Sequence, residues 1–222
     1  MVKIVNNTEI IREYLVGVFE KCTQQALIQI QIMQRRKDKG NESMRKDTRV
    51  VKSYLVESIK HFDDVLPEIM DLCAYFKARA YINLNPKDAD MVRWNLIMDL
   101  QRQVRDKKRA GLMGITDGAI ATCGCCLENE STWILDIDDP AYVDEAINAV
   151  REIYTKEGQA EKSGRDIVIM QYPTVNGTHV IIRPFNKSLF QPKFVPNGKG
   201  GMKEVYDVKA NTPSLMYAAV EQ

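Results

Sequence analysis

The sequence lacks the apolar stretch that a membrane protein or a secreted precursor needs. No hydrophobic run approaches the roughly 20 residues that span a bilayer, and the first fifteen residues, MVKIVNNTEIIREYL, carry charges where a signal peptide has its apolar core. Five cysteines are an odd number, which argues against a disulfide framework. We therefore expect a soluble, intracellular protein of the cytoplasm, in a reducing compartment and without a membrane partner.

An excess of charge of one sign is also missing. Lys and Arg number 31 against 30 Asp and Glu, so the formal net charge is +1. A basic surface for nucleic acid must therefore be local if there is one. The sequence also contains no Gly-x-Gly-x-x-Gly and no Walker-type loop, which excludes the two common signatures of nucleotide binding.

Hydrophobic periodicity predicts an α+β protein: an N-terminal helical segment, then a mixed or antiparallel sheet flanked by helices. A helix is predicted over residues 8–35, although QALIQIQIMQ within it also alternates with period two. Residues 35–49 are charged and predict a solvated linker or mobile loop. We accordingly divide the chain into an N-terminal helix with its linker, 1–49, and an α+β domain, 50–222, built as one compact domain or two packed lobes.

Within 50–222, apolar runs bounded by turn residues predict strands, and longer amphipathic stretches predict helices. Val175-Asn176-Gly177 is typical of a hairpin connection. The predicted helices cover 62–76, 89–109 and 141–156, and the predicted strands cover 50–59, 78–85, 131–137, 165–174, 178–185, 205–209 and 215–220.

Asp136 and Asp138 end the apolar strand STWILDI. Residues at i and i+2 of a strand share a face, and two neighbouring carboxylates repel each other unless a cation lies between them. Mg²⁺ and Mn²⁺ prefer such hard oxygen ligands. The alternative is that Asp138-Asp139-Pro140 only caps the following helix.

His179 and Asp207 are the other candidates. His179 follows the Gly-containing turn, from which its ring can donate to a phosphate oxygen, or it is an ordinary half-buried strand histidine. Asp207 and Lys209 share a strand face, either in a site or as a surface ion pair of about 0–1 kcal/mol. The sequence also clusters Cys123, Cys125 and Cys126, which favours close packing over half of a zinc site because no second ligand pair is nearby.

The order of these signals resembles the archaeo-eukaryotic primase superfamily, the primase-polymerase fold, over roughly residues 130–220. Its Asp-x-Asp motif is matched by Asp136 and Asp138. Its motif of a small residue, any residue and His is matched by Gly177-Thr178-His179. Its motif of an apolar residue followed by Asp is matched by Tyr206-Asp207.

The resemblance implies a metal-dependent nucleotidyltransferase of nucleic-acid synthesis, a DNA-directed primase or polymerase that works with replication partner proteins. Asp136, Asp138 and Asp207 would be catalytic and hold Mg²⁺ or Mn²⁺. His179, Arg183 and Lys209 would bind the nucleoside triphosphate. A single-stranded template would contact basic residues, for which Arg35-Arg36-Lys37 and Lys107-Lys108-Arg109 are candidates. The alternatives are a non-catalytic nucleic-acid-binding accessory protein and a metal-dependent nuclease.

Overall fold

A computed structural model describes residues 2–22, 25–106, 112–127, 130–197 and 200–221. In these residues the chain is mixed α+β, with two antiparallel sheets and flanking helices. The helices are α1 (Thr8–Lys21), α2 (Ile59–Phe76), α3 (Ala89–Arg105), α4 (Leu112–Ala121), α5 (Val143–Lys156) and α6 (Gln159–Ser163). The strands are β1 (Val2–Asn6), β2 (Ala26–Arg35), β3 (Thr48–Val56), β4 (Arg79–Ile82), β5 (Lys87–Asp88), β6 (Trp133–Ile137), β7 (Val168–Pro173), β8 (Thr178–Ile182), β9 (Lys193–Pro196), β10 (Met202–Ala210) and β11 (Ser214–Glu221).

The first sheet has the order β1-β11-β4-β2-β3, with the short β5 pairing to β2, and the second has the order β7-β8-β6-β10-β9. The first therefore joins the beginning of the described chain to its end. In the described residues no helix is both long and apolar enough to cross a bilayer.

The helix predicted over residues 8–35 is correct only as far as Lys21, and the prediction is wrong for β2. In β2 the isoleucines alternate with glutamines, so Ile28, Ile30 and Ile32 are fully buried. The intervening Gln29 and Gln31 reach Asp117 of α4, whose Oδ1 accepts hydrogen bonds of 3.0 and 3.2 Å. The segment forms a strand because its alternation with period two places the isoleucines on a face that packs in the core and the glutamines on a polar face.

The charged stretch of residues 35–49 is the connection of the β2–β3 hairpin, in which Arg35 pairs with Thr48. The boundary predicted at residue 49 consequently falls inside β3. A buried ion pair ties this connection to the first sheet, since Asp38 accepts from the Nε of Arg79 on β4 at 2.7 Å. Residues 1–49 therefore contribute β1, α1 and β2 to the first sheet and its packing.

The strands and helices predicted beyond residue 50 are confirmed, with shifted ends. The pattern did not reveal β1, β9, α4 or α6. Of these, β1 and β9 lie at sheet edges, where a short strand needs little apolar character. Pro67 lies in the interior of α2.

The second sheet is covered on both faces. One face packs with α5 in a core that includes Leu135, Ile137 and Val150. From the other face Ile134 and Ile181 join the core of the first sheet. Residues that alternate with Ile134 therefore face the first sheet, and two residues further along β6 this same face becomes polar, at Asp136.

Candidate functional site

Three neighbouring strands of the second sheet place Asp136, His179 and Asp207 in one row. Asp136 on the central strand β6 pairs with His179 on β8 and with Asp207 on β10. Directly opposed residues of an antiparallel ladder share a face, with Cβ atoms about 4.5–5.5 Å apart. The register thus gives the shared face that the sequence-based hypothesis requires of Asp136 and Asp207.

Asp136 is held between two donors. Lys209 Nζ lies 2.6 Å from Asp136 Oδ2, and His179 Nε2 lies 3.3 Å from Oδ1. Burial alone would raise the pKa of Asp136, but its interactions with His179 and Lys209 outweigh burial and hold that pKa well below its usual range. Asp136 is therefore a carboxylate at neutral pH, and Lys209 pairs with it rather than with Asp207.

A buried hydrogen-bond chain lies behind His179. Its Nδ1 is 2.7 Å from Ser214 Oγ and accepts from the backbone N–H of Leu215 at 3.4 Å. The hydroxyl of Tyr172 in turn donates to Ser214 Oγ at 2.6 Å. Ser214 and Leu215 belong to β11, so the first sheet supports a histidine of the second.

The remaining carboxylates differ in their surroundings. Asp207 Oδ1 is buried and has no hydrogen-bond partner among the described residues. Asp139 Oδ1 accepts from the N–H of Ala141 at 3.0 Å and so caps the short 3₁₀ helix before α5. Asp138 is exposed and makes no such cap. The capping interpretation thus applies to Asp139 and leaves Asp138 available to the site.

Gly177 of the histidine motif is required by close packing. A Cβ atom at this position would lie 1.9 Å from the carbonyl oxygen of Ile137 and 3.0 Å from the Cα of Asp138. The β7–β8 turn therefore rests on the backbone of the Asp-x-Asp segment, which explains the small residue two positions before His179.

A cavity of about 220 Å³ opens between the two sheets at this row. Asp136, Asp138, His179 and Lys209 line it from the second sheet. Arg35, Lys37, Arg79 and Tyr81 line it from the first sheet and the β2–β3 connection. We call this cavity the inter-sheet cleft and the residues Arg35, Lys37 and Arg79 its cationic wall.

The cationic wall is a concentration of like charge. Burial, followed by repulsion from Arg35 and Arg79, lowers the pKa of Lys37. Arg79 is paired with the buried Asp38, and Arg35 Nη1 donates to the hydroxyl of Tyr81 at 3.1 Å. Lys37 makes no hydrogen bond or ion pair with the residues that the structure describes. The wall therefore has positive charge available for an anion.

Arg183, a predicted triphosphate-binding residue, lies elsewhere. Arg183 follows the far end of β8, where its Nε donates to the carbonyl of Asp166 at 3.1 Å, and it lines a separate cavity of about 500 Å³. It does not join the inter-sheet cleft. Lys107, Lys108 and Arg109 lie outside the described residues.

Sequence reasoning missed Arg79, Tyr81 and Ser214. Arg79 carried a usable signal, since it is the one charged residue of ARAYINLN, a segment predicted to be a buried strand. A charge in such a strand is normally paired. No pattern marked Ser214, which becomes relevant only when β11 lies against β8.

The fit of a metal ion rests on oxygen donors. Asp136 and Asp207 are hard ligands of the kind Mg²⁺ and Mn²⁺ prefer, and the unpartnered buried Oδ1 of Asp207 is what a cation would satisfy. In the parts of the chain that the structure describes, no group of three or more His, Cys, Asp or Glu side chains is arranged to hold an ion. The five cysteines are free thiols.

Comparisons of the chain with protein-family models, with curated proteins and with solved structures gave no match.

Proposed function

We propose that the inter-sheet cleft binds a nucleoside triphosphate and that the chain is a metal-dependent nucleotidyltransferase of the primase-polymerase type. The observation that supports this function best is the row of Asp136, His179 and Asp207 on three adjacent strands, of which Asp136 and His179 line the cleft opposite the cationic wall. The three motifs of the resemblance thereby lie side by side in one ladder, although in sequence they extend from residue 136 to residue 207.

A triphosphate suits the charges of this cleft. Its oxygens require several cations and oriented donors at once, and charge-assisted hydrogen bonds are the strong ones. Lys37 and Arg35 approach from one side, and the Nε2–H of His179 approaches from the other. Lys209, which neutralises Asp136 in the structure, would contact a phosphate oxygen when a cation takes over that role.

Asp136, Asp138 and Asp207 would hold Mg²⁺ or Mn²⁺. When bound, such ions stabilise the charge on the attacking and leaving oxygens of phosphoryl transfer. The chain's own residues orient the triphosphate: His179 donates to it, the cationic wall aligns its phosphates, and the depth between the sheets excludes part of the solvent. These effects are positioning and electrostatic stabilisation, which dominate this class of reaction.

A single-stranded template would lie along the β2–β3 connection. Residues 35–49 contain seven Lys and Arg and three Asp and Glu, a local net charge of +4 in a chain of +1. The three acids are engaged, since Asp38 pairs with Arg79, Glu42 accepts from the Gly40 N–H and Asp47 pairs with Arg36. Among the described residues no hydrogen bond or ion pair engages the side chains of Lys39, Arg45, Lys46 or Arg49.

Shallow depressions connect this basic segment with the cleft. One is lined by Arg45, Lys46 and Thr48, and the next shares Thr48 and adds Arg35 and Lys37, both of which also line the inter-sheet cleft. Phosphodiester contacts of this kind give binding that weakens as salt rises. The near-neutral composition implies that any basic surface for nucleic acid is local. The basic segment 35–49 is such a local surface, and it borders the proposed site.

The test is extension of a primer on a single-stranded template, and synthesis without a primer, with NTPs or dNTPs and Mg²⁺ or Mn²⁺. We expect activity in the wild type and a loss of about 100-fold or more in Asp136→Asn and Asp207→Asn. Asp139→Asn is the matched control, because it removes a nearby carboxylate that only caps the 3₁₀ helix. Its activity should stay near that of the wild type.

The other outcomes separate the alternatives. Binding of triphosphate and template without extension would identify an accessory protein. Strand cleavage in place of extension would identify a nuclease. Absence of triphosphate binding with metal present would overturn the proposal.

A further inference from the structure

We infer that Ser214 acts as a positioning residue: it sets which ring nitrogen of His179 carries the proton and so aims a donor into the inter-sheet cleft. The consequence for ligand binding rests on the proposed function, whereas the proton's position on the ring does not. The inference is carried by hydrogen bonds around His179 Nδ1 that join the two sheets.

The first step is that Nδ1 is placed as an acceptor. The backbone N–H of Leu215 can only donate, and it points at Nδ1 from 3.4 Å. In the neutral imidazole one nitrogen donates and the other accepts, so this contact favours a proton on Nε2. A hydrogen bond of this length is weak and does not fix the proton by itself.

The second step is that Ser214 reinforces this choice. Its Oγ accepts the hydroxyl proton of Tyr172 at 2.6 Å, which leaves the serine's own proton free to donate to Nδ1 at 2.7 Å. Tyr172, Ser214 and His179 thus form a chain with one direction: each hydroxyl donates towards the imidazole.

The third step is that water does not substitute for this chain. Ser214 is fully buried, Tyr172 is 3% exposed and the His179 side chain is 12% exposed. Buried polar groups need protein partners, and these three satisfy one another. Ser214 is itself held in place because it opens β11 and pairs with Ile82 of β4.

The arrangement has a consequence at the cleft. The Nε2–H faces Asp136 Oδ1 at 3.3 Å and borders the cavity. His179 therefore presents a donor to an incoming oxyanion while its ring is held from behind. Without the serine hydroxyl, Nδ1 keeps only the longer bond from Leu215, and the ring gains freedom to rotate and to change tautomer.

The experiment combines ring-nitrogen NMR of ¹⁵N-labelled protein with triphosphate titration in the presence of Mn²⁺ or Mg²⁺. In the wild type we expect His179 as the Nε2–H tautomer. Ser214→Ala should give a mixture of tautomers and about ten-fold weaker triphosphate binding, the loss of one buried hydrogen bond. Ser214→Thr keeps the hydroxyl and should restore both. Tyr172→Phe, which leaves the serine proton directed at Nδ1, should keep the tautomer.

Ser53→Ala is the matched control, since the buried Ser53 hydroxyl has no hydrogen-bond partner among the described residues. It should change neither readout. If the extra methyl of Ser214→Thr unfolds the protein, Ser214→Ala and Tyr172→Phe still decide the question. A proton on Nδ1 in the wild type, or an unchanged tautomer in Ser214→Ala, would overturn the inference. Absence of triphosphate binding by the wild type would overturn the proposed function and leave the NMR result to decide the role of Ser214.

Discussion

The two walls of the inter-sheet cleft are built in different ways. The second sheet contributes Asp136 and His179, which are paired in one ladder, and Asp207 is paired with Asp136 in the same row, so neighbouring strands alone bring them together. The first sheet contributes the cationic wall from the β2–β3 connection and from β4. That wall depends on an irregular segment anchored by the pair of Asp38 and Arg79.

The two walls also differ in how their charges are balanced. The carboxylate of Asp136 is balanced within its own sheet by Lys209 and His179, whereas Lys37 has no counter-ion at hydrogen-bonding distance in the part of the chain that the structure describes. A regular ladder supplies groups that are set in place before a ligand arrives. The irregular wall supplies positive charge that a bound anion would neutralise. Four predictions test this contrast, from the largest effect to the smallest.

Loss of the anchor should be the most costly change. Asp38→Ala leaves the Arg79 guanidinium buried without its partner, which typically costs about 3–5 kcal/mol in the free energy of unfolding. Asp47→Ala, which breaks the exposed pair with Arg36, should cost about 0–1 kcal/mol. Urea unfolding of both variants measures the difference. Equal losses would show that burial does not distinguish the two pairs.

Divalent metal should stabilise the acidic row by mass action. At a metal concentration 100 times the dissociation constant, we expect about 2.7 kcal/mol, or roughly 5–10 °C in Tm. Asp207→Asn should abolish the shift, because it removes the unpartnered carboxylate oxygen. Asp63→Asn, in an exposed pair with Arg12 away from the cleft, should retain it. A shift that survives in Asp207→Asn would place the ion elsewhere.

Triphosphate affinity should depend more on the regular wall than on the irregular one. His179→Ala removes a charge-assisted hydrogen bond and should cost about 1.5–3 kcal/mol, a ten- to hundred-fold loss. Lys37→Gln should cost less, because Lys37 is more exposed than His179 and solvent screens its charge more. Titration of a labelled triphosphate at two salt concentrations compares them. A larger loss in Lys37→Gln would reverse the proposed roles of the two walls.

The glycine that supports the Asp-x-Asp segment should be intolerant of a methyl group. Gly177→Ala must move the β7–β8 turn away from the Ile137 carbonyl, at a cost of about 1–3 kcal/mol. In helix α1, Gly17 has nothing within 4 Å of an added Cβ. Gly17→Ala should therefore stabilise the protein by about 0.5–1 kcal/mol. In thermal melts we expect a lower Tm for Gly177→Ala and a higher Tm for Gly17→Ala. A Tm change of the same sign in both variants would contradict the contact at Ile137.

Sequence reasoning worked well where one periodicity was clear. The strands predicted over residues 131–137 and 178–185 from apolar runs between turn residues are β6 and β8, and Asp136, Asp138 and His179 line one cleft. It failed at β2, where a helix was predicted although QALIQIQIMQ also alternates with period two. In the structure the polar alternate residues Gln29 and Gln31 bind Asp117. It also failed for Arg183. This residue lies four positions after His179, and four residues of extended strand span about 13 Å.

The sequence by itself determined the α+β class, the strand ends on which the acidic residues lie and the local concentration of basic residues. These features depend on neighbours in sequence, through strand periodicity and charge counts. Only the tertiary structure decided that β11 holds His179 through Ser214, that Arg79 and Lys37 face Asp136, and that residues 35–49 belong to the first sheet. Those juxtapositions arise from strand order and from the packing of two sheets, which no local pattern encodes.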